Sequence, residues 1–151
     1  GTGYIEEFYN QGAKDYFDIL SIHPYGIVND DNNYTEKKIS ELKRIMDENG
    51  DFDKKIWVTE FGYNSKICVE EIEDKCVRWE TSEEELKKQV FWLENSIKTF
   101  KKYPYITTFF WHTYGDWIKD GMGLIRWDEL EPDYNKLKKP AFYKYKDIIK
   151  K

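Results

Sequence analysis

The chain has 151 residues, enough to bury a sizeable core, and is most simply one domain spanning 1–151. Lys and Arg number 24 against 29 Asp and Glu, and the net charge of -5 offers no basic footprint for nucleic acid or an anionic membrane. No apolar run approaches the ~18 residues of a membrane span, and no charged-then-apolar leader opens the chain, so export is left open and the compartment unknown.

The pattern along the chain alternates helix and strand. Tyr4, Ile5, Phe8 and Tyr9 recur at helical spacing up to a plausible stop at Gly12. Phe17 to His23 reads as a short buried strand, halted by Pro24 and Gly26. A loop rich in Asn and Asp, Val28 to Tyr34, leads into a helix with Ile39, Leu42, Ile45 and Met46 on one face and Gly50 as its stop. Ile56 to Phe61 forms the next strand, and a polar insertion runs from Asn64 to Glu80. Ser82, with Glu85 three residues on, opens the clearest helix as a capping box, and Leu86, Val90, Leu93, Ile97 and Phe100 make its apolar stripe up to Tyr103-Pro104. Ile106 to Trp111 is a third strand, followed by loops holding Trp117 and Trp127. A last helix starts at Pro140 and runs through Phe142, Tyr145, Ile148 and Ile149.

Cys68 and Cys76 lie close together in the polar insertion. A bridge and two free thiols both fit, and with neither histidine nearby they make no metal site. No cofactor motif follows any strand: GxGxxG and P-loop patterns are both missing. Aromatics are 18% of the residues, with six Trp and twelve Tyr, a density that suits core packing and also the flat platforms on which sugar rings stack.

Strands separated by helices imply βαβ crossovers and a parallel sheet, either an open doubly wound sheet or consecutive units of a (β/α)8 barrel. Each strand presents a functional type of side chain at its C-terminal end, as barrels do. Strict alternation groups Ile19, Ser21 and His23 on one face, Ile56, Val58 and Glu60 on the next, and Thr107, Phe109 and Trp111 on the third. If these faces point inward, His23, Glu60 and Trp111 meet at one mouth. The carboxylate is the oddity among them, because an apolar strand normally ends in a turn residue.

The motif Trp57-Val58-Thr59-Glu60-Phe61-Gly62 resembles the seventh-strand signature of clan A glycoside hydrolases, retaining enzymes built on the (β/α)8 barrel. His23-Pro24-Tyr25 is similar to that clan's sixth-strand His-x-Tyr pair, and Phe109-Phe110-Trp111 with Tyr114 and Asp116 to its eighth strand. Gly123-Leu124-Ile125, then Lys139-Pro140-Ala141-Phe142, resemble its closing segment. Order and spacing look most like family 39 and its relatives. The resemblance implies an α/β fold comprising the C-terminal part of a TIM barrel, about strand 6 to helix 8, incomplete in this chain.

It also implies roles. Glu60 would be the nucleophile of a β-glycosidase acting with retention, Tyr25 and His23 would hold its carboxylate ionised, and Trp111 would floor the sugar site. Trp79, Trp117 and Trp127, read as loop residues, would be further sugar contacts, packing residues or partner surface. No metal or cofactor is implied; the partners are an oligosaccharide or glycoside, plus the remaining half of the barrel or a second chain covering the sheet edges. The departure from the pattern is that the acid/base carboxylate, the Glu of an Asn-Glu pair ending the fourth strand, has no counterpart, since no Asn-Glu dipeptide occurs. The opening Gly1-Thr2-Gly3 reads as a processed, truncated or excised piece. The competing readings are a non-catalytic carbohydrate-binding remnant or isolated fragment, and an unrelated open-sheet α/β binding domain.

Overall fold

Residues 3–25, 33–117, 120–126 and 131–150 are described by the structure, a computed structural model. Gly26, most of the loop expected from Val28 to Tyr34, and Trp127 lie outside them. The chain divides into two units: Gly1–Phe61 with Lys98–Phe110, and Gly62–Ile97 with Trp111–Lys151.

In the first unit, helix α1 (Gly3–Asn10) buries Ile5 and Tyr9, and Gly12, at φ +77°, takes the left-handed turn that ends it. Strand β1 (Ile19–Ile22) follows, then helix α2 (Asn33–Glu48), whose Ile39, Leu42, Ile45 and Met46 are all buried. Each such side chain contributes roughly 1.5–3 kcal/mol on leaving water. Gly50, at φ +78°, reverses the chain after α2, and Tyr9 Oη donates to the buried carboxylate of Asp51 at 2.8 Å, tying α1 to this turn. Burial, then the Asp51 carboxylate, pushes the Tyr9 phenol well above its ordinary range.

Strand β2 (Lys55–Phe61) pairs in parallel with β1, with Leu20 opposite Ile56, Ser21 opposite Trp57 and Ile22 opposite Val58. Strand β5 (Ile106–Trp111) lies on the other side of β2, giving the order β1-β2-β5. The parallel β1-β2 pair with α2 between its strands is the βαβ unit that the alternation predicts.

In the second unit, the expected polar insertion is an antiparallel hairpin of β3 (Lys66–Ile72) and β4 (Lys75–Thr81). Its two-residue turn, Glu73-Asp74, holds both φ angles positive, at 50° and 60°. Hairpin turns need such angles, but Asn-Gly, the usual sequence sign for them, is missing here. Cys68 and Cys76 are joined by a disulfide across this hairpin. Helix α3 (Glu83–Lys101) begins after it, but the capping box is not closed: Ser82 N–H donates to the Ser65 carbonyl at 3.3 Å, and Glu85 turns instead to Tyr63 Oη and Lys88 Nζ. A short helix, α4 (Tyr134–Leu137), precedes α5 (Pro140–Ile149), which has Pro at its start as expected.

A buried ammonium organises this unit. Lys139 is fully buried, and its Nζ donates to Asp116 Oδ1 at 2.5 Å, Gly121 O at 2.8 Å and Ser65 Oγ at 3.0 Å, using all three protons. Gly121 O also accepts from Ser65 Oγ at 2.9 Å and Gln89 Nε2 at 3.0 Å. Burial outweighs the mutual attraction of the pair, raising the Asp116 carboxyl and lowering the Lys139 ammonium. Gly123 has no room for a side chain, since a Cβ would stand 2.3 Å from Asp116 N and Gly115 C. Both residues therefore serve packing: Lys139 supplies the charge, Gly123 the clearance.

Among the described residues no helix is long and apolar enough to cross a membrane, and no group of three His, Cys, Asp or Glu could hold a metal ion.

Lys139→Met should lower stability by about 3–5 kcal/mol, since it strands a buried carboxylate, while adding Asp116→Asn should recover part of the loss; urea midpoints of the two variants check this. Glu85 provides a second test. Its carboxyl is held below the ordinary range by hydrogen bonds from Lys88 and then Tyr63, while burial, then the Glu85 contact, pushes the Tyr63 phenol up to about 12. The folded value of Glu85 lies below the unfolded one, so its stabilisation is full above the unfolded pKa, about 4.3, and is lost as pH falls through the folded value. The stability gap between wild type and Glu85→Gln should therefore shrink from pH 6 to pH 3, as read by thermal midpoints.

Candidate active site

Strand β2 does not alternate strictly. Ile56 and Val58 are fully buried, Lys55 and Trp57 are exposed, then Thr59 and Glu60 are both half-buried before Phe61 returns to full burial. Between Val58 and Phe61 the period of two slips by one residue. Phe61 is drawn into the core by edge-on packing against Phe100, ring centroids 5.1 Å apart, and against Phe109 at 6.2 Å. The slip leaves Thr59 and Glu60 together on the open side of the sheet.

The grouping expected from strict alternation is corrected accordingly. Ser21 and His23 share their face with Trp57 and Thr59, while Ile56 and Val58 belong with Leu20 and Ile22 on the buried side. The register alone would have revealed this, because opposed residues of parallel strands point the same way. Phe109 likewise leaves the face of Thr107: Thr107 Oγ1 accepts from Trp57 Nε1 at 3.1 Å, whereas Phe109 packs with Phe61 and Phe100.

Glu60 nonetheless meets both donors expected for it. Tyr25 Oη donates to Glu60 Oε2 at 2.9 Å, and His23 Nδ1 lies 3.4 Å from the same oxygen. The Glu60 side chain is 36% exposed, open enough for a ligand to reach. Tyr25 stands just past β1, where the buried Pro24 turns the chain, and β2 brings the carboxylate alongside.

The rear of the imidazole shows what the sequence reading missed. His23 Nε2 is 2.9 Å from Thr59 Oγ1, which is 2.5 Å from Ser21 Oγ. One set of directions serves every group: Ser21 donates to Thr59, Thr59 to Nε2, and Nδ1–H points at Glu60. The rings of His23 and Tyr25 meet edge-on with centroids 6.4 Å apart, and Tyr25 N–H donates to the His23 carbonyl at 2.9 Å. Ser21 and Thr59 were findable, since each sits two residues from, or next to, a proposed site residue on the same open face. The arrangement sets a carboxylate between a phenol and an oriented imidazole, groups that can serve as a nucleophile or a base with its donors.

Other candidates sit in the second unit. Trp111 is largely buried, and its Nε1 donates to Met122 O at 2.8 Å, so contact with a ligand is left to its ring face. Trp79 is on strand β4, not in a loop, opposite Cys68. Trp117 is 68% exposed, bonded through its backbone to Asp120. Asp116, grouped with the eighth-strand motif, is engaged in the buried ion pair. Gly62 is required at its position because a Cβ there would lie 2.7 Å from His112 O.

A model described as glycosyl hydrolase catalytic core matches residues 1–130, and the chain belongs to that family. The fold is similar to part of the barrel of solved β-glucuronidases. The Ruminococcus gnavus enzyme superposes with a TM-score of 0.59 at 14% identity, over 89% of this chain and 22% of its own. The Faecalibacterium prausnitzii enzyme gives 0.57 at 15%, over 91% and 22%, and that of Dictyoglomus thermophilum 0.57 at 13%, over 87% and 22%. At such identities the likeness is one of fold, and the chain spans under a quarter of the length of each. No curated protein matches the chain. Family and fold together favour a portion of a glycoside hydrolase barrel over an open doubly wound sheet.

Gly62→Ala should force the backbone after Glu60 away from His112 O and lower stability by about 1–3 kcal/mol, measured as a fall in the urea midpoint.

Proposed function

We propose that this chain supplies the nucleophile of a β-glycosidase that acts with retention. Glu60 attacks the anomeric carbon, the bond to the leaving-group oxygen breaks as that oxygen takes a proton, and water then hydrolyses the glycosyl-enzyme. The observation that carries this reading is the convergence of Tyr25 Oη and His23 Nδ1 on one oxygen of Glu60. Both are donors placed where a carboxylate nucleophile uses them. The Ser21-Thr59-His23 series fixes the imidazole that faces Oε2.

The second carboxylate, about 5–5.5 Å from the first in retaining enzymes, would come from a segment outside residues 1–151. In this reading residues 1–151 form the C-terminal part of a barrel, about strand 6 to helix 8, related to family 39 and its neighbours. Trp111 would be a sugar platform, with Trp79, Trp117 and Trp127 as further contacts. The substrate class is a β-linked glycoside or oligosaccharide. The missing Asn-Glu pair favours a second reading, in which the chain alone binds sugar without cleaving it.

An activated 2-fluoro glycoside tests the proposal on the complete gene product. Peptide mass mapping should find the label on Glu60, and Glu60→Gln should lose labelling and at least about 10³-fold in turnover. Tyr25→Phe, which deletes a charge-assisted hydrogen bond, should lower turnover by about 10- to 100-fold without unfolding. Equal labelling of the Glu60→Gln protein would sink the enzyme reading, and a complete product that never labels would leave the sugar-binding one.

A further inference from the structure

The hairpin of β3 and β4 has little of its own to hold it closed. Its apolar side chains gain little by folding: Ile67, Val69, Ile72 and Val77 are all exposed, and from Ile67 to Glu80 only Cys68, Cys76 and Trp79 are half-buried. The turn works against it, because Glu73 and Asp74 both hold positive φ without being glycine, a conformation that L side chains resist. The ladder is interrupted by register shifts on either side of Glu70. Glu70, Glu71, Glu73 and Asp74 crowd the same end, and the facing cations offset them only in part. Arg78 is exposed, 3.6 Å from Glu70 and 3.5 Å from Glu80, and Lys75 stands opposite Ile72. Two strands in this condition are marginal in water.

The base of the hairpin is held differently. Ser65 is fully buried against Lys139, and its carbonyl accepts from Ser82 N–H at 3.3 Å. Lys66 N–H donates to Asn64 Oδ1 at 2.9 Å, and Lys66 Nζ to the Trp117 carbonyl at 2.7 Å. The bridge from Cys68 to Cys76 lies beyond these ties and closes a loop that contains the turn. It acts where packing does not, by removing open states of the chain.

We propose that the tip of this hairpin, residues 69–77, is a redox-conditional element, closed by Cys68–Cys76 under oxidising conditions and released by a thiol reductant while the base stays folded. Both cysteines are only half-buried, so a small thiolate can reach the bridge. It attacks one sulfur, the S–S bond breaks, and the other sulfur leaves as a thiolate that takes a proton from water. A second thiol then attacks the mixed disulfide, which leaves two protein thiols and one oxidised reductant. Such a bridge persists outside the reducing cytosol, so the tip takes a different form in each compartment. The proposal stands whether or not Glu60 is a nucleophile.

The test is amide hydrogen exchange of the full chain, read by peptide mass before and after dithiothreitol, with reduction confirmed by a gain of two hydrogens. Amides of residues 69–77 should lose protection by about 10- to 100-fold on reduction, the scale of the loop-closure entropy that the bridge removes. Amides of β1, β2 and α3 should change by less than about twofold. The double variant Cys68→Ser, Cys76→Ser should show the released pattern without reductant and be unmoved by it, and oxidised glutathione should restore closure in the reduced wild type. The proposal is overturned if the native bridge resists dithiothreitol, if residues 69–77 keep their protection once reduced or in the double variant, or if oxidised glutathione does not restore it. It is equally overturned if α3 and α5 open along with the tip, since the bridge would then hold the whole unit.

Discussion

The first unit turns on the packing of Phe61 between Phe100 and Phe109. An apolar side chain of that size at the end of a buried strand must find the core, and it does so one residue out of phase with Val58. The carboxylate before it is thereby pushed to the open face, where a phenol and an imidazole stand within reach. The placement of Glu60 is thus a by-product of where the next ring packs. A strand with unbroken alternation would place Glu60 on the buried face with Ile56 and Val58, away from Tyr25 and His23.

The second unit has a different centre, a charge in place of a ring. Its loops are long and carry little regular structure, so their backbone groups need partners that no ladder supplies. Lys139 provides these from the inside, with Gly121 O receiving four donors from Ser65, Gln89 and Lys139 itself. Desolvating an ammonium is costly, and complete hydrogen bonding is what makes it tolerable. The hairpin attaches to the same knot through Ser65 at its base.

Helices were legible in the sequence because period and stop signals agree: Gly12 and Gly50 do end α1 and α2 with positive φ. So were the three strands, as short apolar runs between turn residues, and, at the level of a glycosyl hydrolase core, the family, through motifs whose order matters more than any one of them. Side-chain direction was not legible at β2, since the slip at Thr59-Glu60 arises from tertiary packing of Phe61. The hairpin was missed because Glu73-Asp74 carries no usual turn signature, and its strands, largely exposed on both sides, lack the apolar alternation that marks a half-buried sheet. The capping box failed for a related reason. Glu85 had a better partner in Tyr63, which only the fold brings near. Ser21 and Thr59 were passed over because hydroxyls on a strand are unremarkable until an imidazole nitrogen stands beside them.

Trp57 lies on the open face of β2 at 37% exposure, with Ile19 at 38% on β1. Its indole N–H is already satisfied by Thr107 Oγ1. Laying another apolar surface over this indole would therefore strip water from carbon alone, with no donor of the ring left stranded.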